Sequence, residues 1–261
     1  MRVALVSLNQ AWESKKQNYL ACRDFIQKAK EFGAELIIFP EMTLTSFSMN
    51  IELTAESRES SETVAQFQDL AVRFQIAIVF GVVFRDGEKA VNASLLIDRS
   101  GAIKESYYKI HPFSFAGEDK AFNGGDKISF SDLGNVKIGL SICYDLRFPE
   151  IYSALGKYCD LIINIANWPA KRIDHWGTLL KARAIENQLF VIGVNRTGID
   201  GNGLEYIKSS KVINPNGDLL QPIITDAELD IFDIDLTYIH KFRKSFSTTQ
   251  DRKLAFYKSI L

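Results

Sequence analysis

Residues 136–166 read VKIGLSICYDLRFPEIYSALGKYCDLIINIA and follow the pattern of a parallel βαβ unit. Val136–Ile142 is an apolar strand, Pro149–Lys157 has the spacing of a helix, and Leu161–Ala166 is a second apolar strand. Two buried strands joined through a helix pair in parallel, and the helix covers one face of their sheet. This unit therefore predicts an α/β protein.

The same alternation of strands and helices extends in both directions along the chain. Helices are predicted over Lys15–Phe32, Thr63–Phe74 and Asp174–Gln188, with Asp174 as the N-cap of the last one. Tyr238–Leu261 is predicted as a helix with an aromatic-bearing tail. Apolar runs predict the remaining strands, which are Val3–Leu8, Leu36–Phe39, Ile76–Phe84, Ala93–Asp98, Ile103–Lys109, Leu189–Val194, Lys208–Ile213 and Leu229–Ile234.

The composition limits the class of protein. No repeat, low-complexity segment or flexible linker divides the 261 residues, so we expect one domain over 1–261. Hydrophobic residues make up 46% and charged residues 24%, as is usual for a soluble globular protein. The formal net charge of −1 gives no electrostatic reason to bind nucleic acid or an anionic membrane. No apolar run approaches the roughly 20 residues of a membrane span.

The cysteines and histidines indicate the cellular compartment of the protein and whether it binds a metal. Three cysteines, an odd number without a disulfide framework, indicate a reducing compartment, and we expect a cytoplasmic protein. The three cysteines and three histidines show no metal-ligand spacing, so we expect no metal in the site.

Three chemically active residue types each follow an apolar strand. Cys143 follows Val136–Ile142 and precedes a helix, whose N-terminus favours a thiolate. Glu41 follows a buried strand and Pro40, where a carboxylate can act as a general base. Lys109 ends a strand, from which an ammonium can stabilise the oxyanion of a tetrahedral intermediate.

Each of these residues alone also has an ordinary structural explanation. A free cysteine is most often a small buried hydrophobe, a glutamate after a strand can be a solvated acid, and lysine is usually exposed. The combination is more informative, because a nucleophile, a base and an oxyanion-stabilising cation are the groups that acyl transfer requires.

Three segments resemble, in order and spacing, the signatures of the nitrilase superfamily. These are Phe39-Pro40-Glu41, the YKIHPF sequence at 108–113 and the CYDLRFPE sequence at 143–150. The resemblance implies a four-layer αββα sandwich with a Glu-Lys-Cys triad. It implies that Cys143 attacks a carbonyl, that ammonia leaves, and that water hydrolyses the thioester, with no metal or organic cofactor.

The resemblance also assigns roles to the residues around the cysteine. Glu41 would accept the thiol proton, and Lys109 with the backbone N–H of Tyr144 would hold the oxyanion. Glu118 matches a second glutamate of the family, which would orient Lys109 and the substrate, although it can also be read as an ordinary loop acid. Family members pair two sandwiches through the region around the nucleophile helix and the C-terminal tail, so the resemblance implies a homodimer.

Within the superfamily, the sequence is similar to the ω-amidase group. The similarity lies in the cysteine motif, in NWPA at 167–170 and in ARAIENQ at 182–188. Such enzymes deamidate α-keto acid amides, among them α-ketoglutaramate and α-ketosuccinamate. Alternatives are another aliphatic amidase, an N-carbamoyl amino acid hydrolase, or a non-catalytic scaffold, and retention of the whole triad argues against the scaffold.

An α-keto acid amide needs a cation for its distal carboxylate. Arg172, next to Trp168 in the loop after a strand, is our candidate, because a guanidinium can bind a carboxylate in a bidentate manner. Arg147 is the competing cation, for which we expect a structural ion pair in preference to substrate contact. We expect Arg183 and Glu186 to form a helix pair at i, i+3 or a dimer contact. The cleft walls are predicted to be Phe47, Phe113 and Phe115, and Trp168 is predicted to contact the substrate.

Overall fold

The computed structural model describes residues 1–260, and its strands form two large sheets and one short hairpin. In chain order the strands are β1 (Arg2–Val6), β2 (Leu36–Ile38), β3 (Ala77–Asp86), β4 (Lys89–Ile97), β5 (Ile103–Tyr108), β6 (Ser129–Leu133), β7 (Val136–Ile142), β8 (Leu161–Ala166), β9 (Phe190–Asn195), β10 (Gly198–Ile199), β11 (Glu205–Tyr206), β12 (Lys211–Ile213), β13 (Ile224–Thr225) and β14 (Leu229–Asp233). The first sheet has the order β13-β14-β1-β2-β3-β4-β5, and the second has the order β12-β9-β8-β7-β6.

The helices account for most of the remaining regular structure. They are α1 (Lys15–Glu31), α2 (Ile51–Thr54), α3 (Glu62–Phe74), α4 (Glu118–Ala121), α5 (Pro149–Leu155), α6 (Ile173–Asn187), α7 (Thr237–Ser245) and α8 (Leu254–Ile260). No helix within residues 1–260 is long and apolar enough to cross a membrane.

The two large sheets pack face to face between two layers of helices. Val3 and Leu5 of β1 share one apolar core with Ile138 and Leu140 of β7, while the alternate residues of β1 pack in a second core under α1 and α3. On the other side, α5 and α6 cover the second sheet. The architecture is therefore the four-layer αββα sandwich that the resemblance to the nitrilase superfamily implies.

Burial on both faces explains why the central strands are continuous apolar runs. In β8 every residue is buried, and it pairs in parallel with both β7 and β9. A glycine allows a helix to approach the sheet closely: a Cβ at Gly193 would lie 2.4 Å from Leu180 and 2.7 Å from Trp176, both on α6.

The predicted βαβ unit is confirmed, with the two strands at the predicted bounds and in parallel register. One capping prediction is wrong. Asp174 lies in the first turn of α6 and not at its N-cap, which is Arg172, because a 3₁₀ turn over Ala170–Arg172 leads directly into the helix. The sequence analysis also missed several short elements, which are α2, α4, β6, β10, β11 and β13.

Candidate active site

Three strand ends bring the predicted reactive residues to one edge of the sandwich. Glu41 lies beyond the end of β2, Lys109 directly follows β5, and Cys143 directly follows β7. Both charged side chains are almost fully buried, with Lys109 1% and Glu41 0% exposed. A buried charge is costly unless it is paired and hydrogen-bonded, so the partners of these groups determine the site.

Lys109 is bound by two carboxylates. Its Nζ donates to Glu41 Oε1 at 2.8 Å and to Glu118 Oε2 at 2.8 Å. Asn92 Nδ2 donates to the same two carboxylates, at 2.7 Å to Glu41 and 3.0 Å to Glu118. The N–H of Phe113 donates to Glu118 at 2.5 Å. Glu41, Lys109 and Glu118 therefore form one hydrogen-bonded cluster.

The charges in this cluster control each other's ionisation. Burial lowers the pKa of Lys109, but the negative charges of Glu118 and Glu41 outweigh burial and raise it above its ordinary value. Burial raises the pKa of Glu118, and the nearby charge of Glu41 adds to this effect. The two carboxylates therefore favour the protonated, cationic form of Lys109.

Cys143 adopts an unusual backbone conformation and is held by a backbone acceptor. Its φ is +45°, in the left-handed region that side chains seldom adopt. Its thiol donates to the carbonyl of Asn167 across 3.8 Å. Strained backbone of this kind recurs at functional sites.

The sequence analysis expected a helix N-terminus to favour the thiolate of Cys143, but other influences dominate the pKa of this thiol. Burial raises the pKa of the thiol well above its ordinary value, the charge of Glu41 raises it further, and Lys109 opposes them. The raised pKa favours the neutral thiol, whose reaction requires a proton acceptor.

Asn167 connects the base to the nucleophile, a role that the sequence analysis did not assign. Its N–H donates to Glu41 Oε2 at 2.9 Å, and its Nδ2 donates to the carbonyl of Glu41 at 2.8 Å. Its carbonyl accepts the Cys143 thiol. One residue thus contacts both reactive groups.

Further supports surround the reactive residues. Gln10 Nε2 donates to three successive carbonyls, those of Glu41, Met42 and Thr43, at 2.9–3.1 Å. A Cβ at Gly81 would lie 2.3 Å from the Met42 nitrogen, so only glycine lets β3 pass this turn. Gln10 and Gly81 lie far from Glu41 along the chain, and no local pattern marks them.

Asp145 fixes the turn that carries the cysteine. Its carboxylate accepts from the N–H of Ile142 at 3.1 Å and from the Tyr107 hydroxyl at 2.7 Å. It also accepts from the N–H of His111 at 3.0 Å. The lysine and cysteine motifs are therefore tied together through one buried carboxylate, which the sequence analysis did not single out.

A cavity of about 100 Å³ opens beside Cys143. Of the residues predicted to contact substrate, Tyr144, Arg172, Trp168, Phe47 and Phe113 all line it. The other lining residues are Met49, Ala116, Arg147, Asn167, Pro169, Asp200, Asn202, Leu204 and Tyr206. Phe115 does not line this cavity: it is 85% exposed and contacts Phe113 from outside.

Two guanidinium groups face aromatic rings in the cavity wall. The Arg172 guanidinium lies 5.6 Å from the Phe113 ring centroid, and the Arg147 guanidinium lies 4.8 Å from that of Trp168. The predicted ion pair of Arg147 is not present among residues 1–260, where it contacts His175 instead. The predicted Arg183–Glu186 pair forms at 3.1 Å.

The hairpin β10–β11, with its turn, forms part of the cavity wall. Its residues Asp200, Asn202, Leu204 and Tyr206 line the cavity. Asp200 accepts from the N–H groups of Asn202 and Leu204 and from the Tyr206 hydroxyl. The sequence analysis assigned no role to this hairpin, although its glycine-rich sequence GIDGNG at 198–203 is a turn signal.

The residues described contain no group of three or more histidine, cysteine, aspartate or glutamate side chains that could hold a metal ion. A lysine between two carboxylates, beside a thiol, is instead suited to proton transfer and to the stabilisation of a developing negative charge.

Comparisons with known proteins identify the family of the chain. A family model described as carbon-nitrogen hydrolase matches residues 2–244. The omega-amidase YafV of Escherichia coli K12 is 36% identical over 84% of each chain. The 2-oxoglutaramate amidase of Bacillus subtilis is 30% identical over 95% of this chain and 96% of its own. A crystal structure of XC1258 from Xanthomonas campestris, described as a CN-hydrolase superfamily protein with an arsenic adduct in the active site, has a TM-score of 0.87 and 31% identity and covers 97% of both chains.

Proposed function

The chain belongs to the carbon–nitrogen hydrolase family of the nitrilase superfamily, and from this premise we propose that it is an ω-amidase that hydrolyses α-keto acid amides. The observation that carries the proposal is the cluster around Glu41. This carboxylate accepts from the Lys109 ammonium and from the N–H of Asn167, whose carbonyl accepts the Cys143 thiol. A base, a cation and a nucleophile thus meet beside one cavity.

The first half of the proposed reaction forms a thioester. The Cys143 sulfur attacks the amide carbonyl carbon while Glu41 accepts the thiol proton. Lys109 and the backbone N–H of Tyr144 stabilise the oxyanion of the tetrahedral intermediate. The carbon–nitrogen bond then breaks, Glu41 gives its proton to the leaving nitrogen, and ammonia departs.

The second half restores the enzyme. Water attacks the thioester carbon, and Glu41 accepts a proton from it. The carbon–sulfur bond breaks, and the proton returns to the sulfur of Cys143. The net reaction converts an amide and water into a carboxylic acid and ammonia. Glu118, which shares the Lys109 ammonium with Glu41, keeps this cation oriented throughout.

The substrate class is supported by the cations of the cavity wall. Arg172 and Arg147 both line the cavity, and neither has a carboxylate partner within residues 1–260. A free guanidinium suits a carboxylate at the far end of a small amide. Two relatives whose names describe them as an omega-amidase and a 2-oxoglutaramate amidase point to the same class.

The test is an ammonia-release assay with α-ketoglutaramate, α-ketosuccinamate, glutamine, a short aliphatic amide and a carbamoyl amino acid. We expect the two keto-acid amides to give the highest kcat/KM. Cys143→Ala should abolish ammonia release and leave the circular dichroism spectrum unchanged, and Cys159→Ala is the matched control with a second buried thiol. Preference for the carbamoyl or the aliphatic substrate would reject the ω-amidase assignment.

Arg172 is proposed as the anchor of the distal carboxylate. Arg172→Ala should raise KM for α-ketoglutaramate by tenfold or more, as expected for loss of a charged hydrogen bond. KM for an uncharged short amide should change little. Arg147→Ala removes the competing cation of the same cavity and should raise KM for α-ketoglutaramate less than Arg172→Ala does. Equal effects of Arg172→Ala on both substrates would exclude it as the anchor.

We further propose that residues 1–261 act as one carbon–nitrogen hydrolase domain, as a homodimer in the cytoplasm. The dimer is supported by the apolar side chains that α8 exposes, among them Phe256 at 56% and Ile260 at 62%. Large apolar side chains exposed together on one short helix are typical of a surface that a partner covers.

A further inference from the structure

Arg196 is a buried cation that the proposed reaction does not use. It is 0% exposed, and no carboxylate of residues 1–260 lies within ion-pair distance of its guanidinium. Burying a charge without a direct counter-ion is costly, and the cost is tolerated only when several hydrogen bonds replace the lost water.

The bonds of this guanidinium go to two sets of partners, which lie behind two parts of the cavity wall and do not line the cavity themselves. Nη1 donates to Ser46 Oγ at 2.5 Å and Nη2 to the Gln10 carbonyl at 3.2 Å. On the other side, Nε donates to the Thr197 carbonyl at 3.1 Å and Nη2 to the Ile199 carbonyl at 3.4 Å. The guanidinium therefore bridges the segment at 197–199 to Gln10 and to the loop that carries Ser46, which lies 150 residues from Arg196 along the chain.

The first of these segments carries the general base and one wall. Ser46 has a φ of +61° and immediately precedes Phe47, which lines the cavity with its ring centroid 5.3 Å from Lys109 Nζ. Gln10 holds the carbonyls of the turn at Glu41. A side chain that holds Ser46 and Gln10 in place therefore also helps to position Phe47 and the turn at Glu41.

The second segment is the hairpin β10–β11, whose residues form the facing wall. The Arg196 guanidinium lies 4.7 Å from the ring centroid of Tyr206, and the Tyr206 hydroxyl donates to Asp200. Space is tight beneath the hairpin, where a Cβ at Gly198 would lie 2.0 Å from Asn9 and one at Gly201 would lie 2.4 Å from Trp12. The hairpin thus has little freedom to shift independently of Arg196.

We propose that Arg196 is a positioning residue that couples the hairpin wall of the substrate cavity to the loop after Glu41. The coupling sets the separation of the two walls and with it the fit of the substrate. It acts through the neighbours of Arg196, and the guanidinium does not line the cavity. By reciprocity, loosening either wall loosens the other.

The primary test measures hydrogen exchange and needs no catalysis. Ser46→Ala removes one bond of Arg196 and leaves the hairpin itself unchanged. We expect exchange of the N–H groups at 198–206 to become about three- to tenfold faster, a factor within the range for loss of one hydrogen bond of ordinary net strength. Ser48→Ala is the matched control in the same loop, because Ser48 bonds Glu13 and not Arg196, and it should leave the hairpin unchanged.

A change confined to residues 42–48, or faster exchange throughout α1 and β1 as well, would overturn the coupling. Tyr206→Phe tests the coupling from the hairpin to the loop. It removes the hydrogen bond from the Tyr206 hydroxyl to Asp200, and it should accelerate hydrogen exchange of the N–H groups at 42–48 by a similar factor.

A second experiment measures the kinetics of Arg196 variants and rests on the proposed function. Arg196→Lys should raise KM for α-ketoglutaramate by about three- to tenfold with kcat changed less than twofold, and Arg196→Met should raise KM further. A fall in kcat at constant KM would overturn the assignment to substrate fit. If the wild-type enzyme hydrolyses none of the amides, the proposed function fails, while the exchange measurement still decides whether Arg196 couples the walls.

Discussion

At Cys143, three influences raise the pKa of the thiol and two lower it. Burial and the charges of Glu41 and Glu118 raise it, whereas the charge of Lys109 and the bond to the Asn167 carbonyl lower it, and the raising influences prevail. A nucleophile that rests as a thiol avoids an isolated buried anion next to Glu41 and Glu118. The thiol proton must then leave at the moment of attack, which makes the placement of Glu41 decisive.

Glu41→Gln should therefore slow acylation by on the order of 10²-fold or more, because the general base is lost while the shape is kept. The same change removes a negative charge that raises the pKa of Cys143. The thiolate should become easier to form, so the inflection of the iodoacetamide alkylation rate should move to lower pH.

Stopped-flow measurement of the acylation burst, with alkylation followed by mass spectrometry, checks both parts. Glu105→Gln, a substitution outside the cluster, is the control and should leave both rates unchanged. A burst of wild-type rate in Glu41→Gln, or a shift of the alkylation inflection to higher pH, would refute the assigned role.

At the scale of elements, the strands that were predicted well are those buried on both faces. The run of apolar residues in β7 and β8 follows directly from that burial. The edge strand β6, with the sequence SFSDL, is only partly buried and has no such run. The hairpin β10–β11 was missed because it depends on contacts with the distant residues Asn9 and Trp12.

The residues of the candidate site also divide into those that the sequence predicted and those that it did not. The sequence identified the residues proposed to react, because each follows a strand in a recognisable motif. It did not identify the residues that hold them, such as Gln10, Asn92 and Arg196. Each of these forms its key bonds with residues more than 25 positions away, and no local spacing records such a pairing.

The start of α3 depends on one carboxylate. Glu56 accepts from Lys15 Nζ at 2.8 Å, from Ser61 Oγ at 2.5 Å, and from the N–H of Thr63 at 3.0 Å and its Oγ1 at 2.5 Å. Burial raises the pKa of Glu56, but the bonds from Lys15, Ser61 and Thr63 outweigh burial and lower it. The charged form therefore stabilises the folded state.

Glu56→Gln should reduce the free energy of unfolding by about 1.5–3 kcal/mol at neutral pH, as expected for hydrogen bonds to a charged group. Because the pKa of Glu56 is lower in the folded than in the unfolded state, its stabilisation is complete above the unfolded pKa. It is lost as the pH falls through the folded pKa.

Urea denaturation at a series of pH values, from neutral to below the folded pKa, measures the difference between wild type and Glu56→Gln. That difference should shrink as the pH falls. Glu88→Gln, at an exposed turn, is the control and should match the wild type at every pH. A difference that stays constant with pH would show that the charge of Glu56 contributes nothing.

For the whole molecule, the sandwich brings together three motifs that are remote along the chain and leaves one apolar surface near its C-terminus. Arg252, just before α8, links this C-terminal segment to α6 by donating to the Glu186 carbonyl and to Asn187 Oδ1, both at 2.9 Å. The apolar side chains that α8 then exposes are Leu254, Phe256, Tyr257 and Ile260. Since α8 and the nucleophile helix α5 line one common groove, a partner that covers this surface also contacts the helix that follows Cys143.

The proposed homodimer can be tested at this surface. Light scattering coupled to size-exclusion chromatography should give twice the mass of one chain. Phe256→Glu should give the mass of a single chain, because a charge would be buried without a partner in the dimer. Lys16→Glu, on an exposed position of α1 in the opposite helix layer, should remain dimeric. A single-chain mass for the wild type, or an unchanged mass for Phe256→Glu, would place the interface elsewhere or remove it, and the apolar face of α8 would then need another explanation.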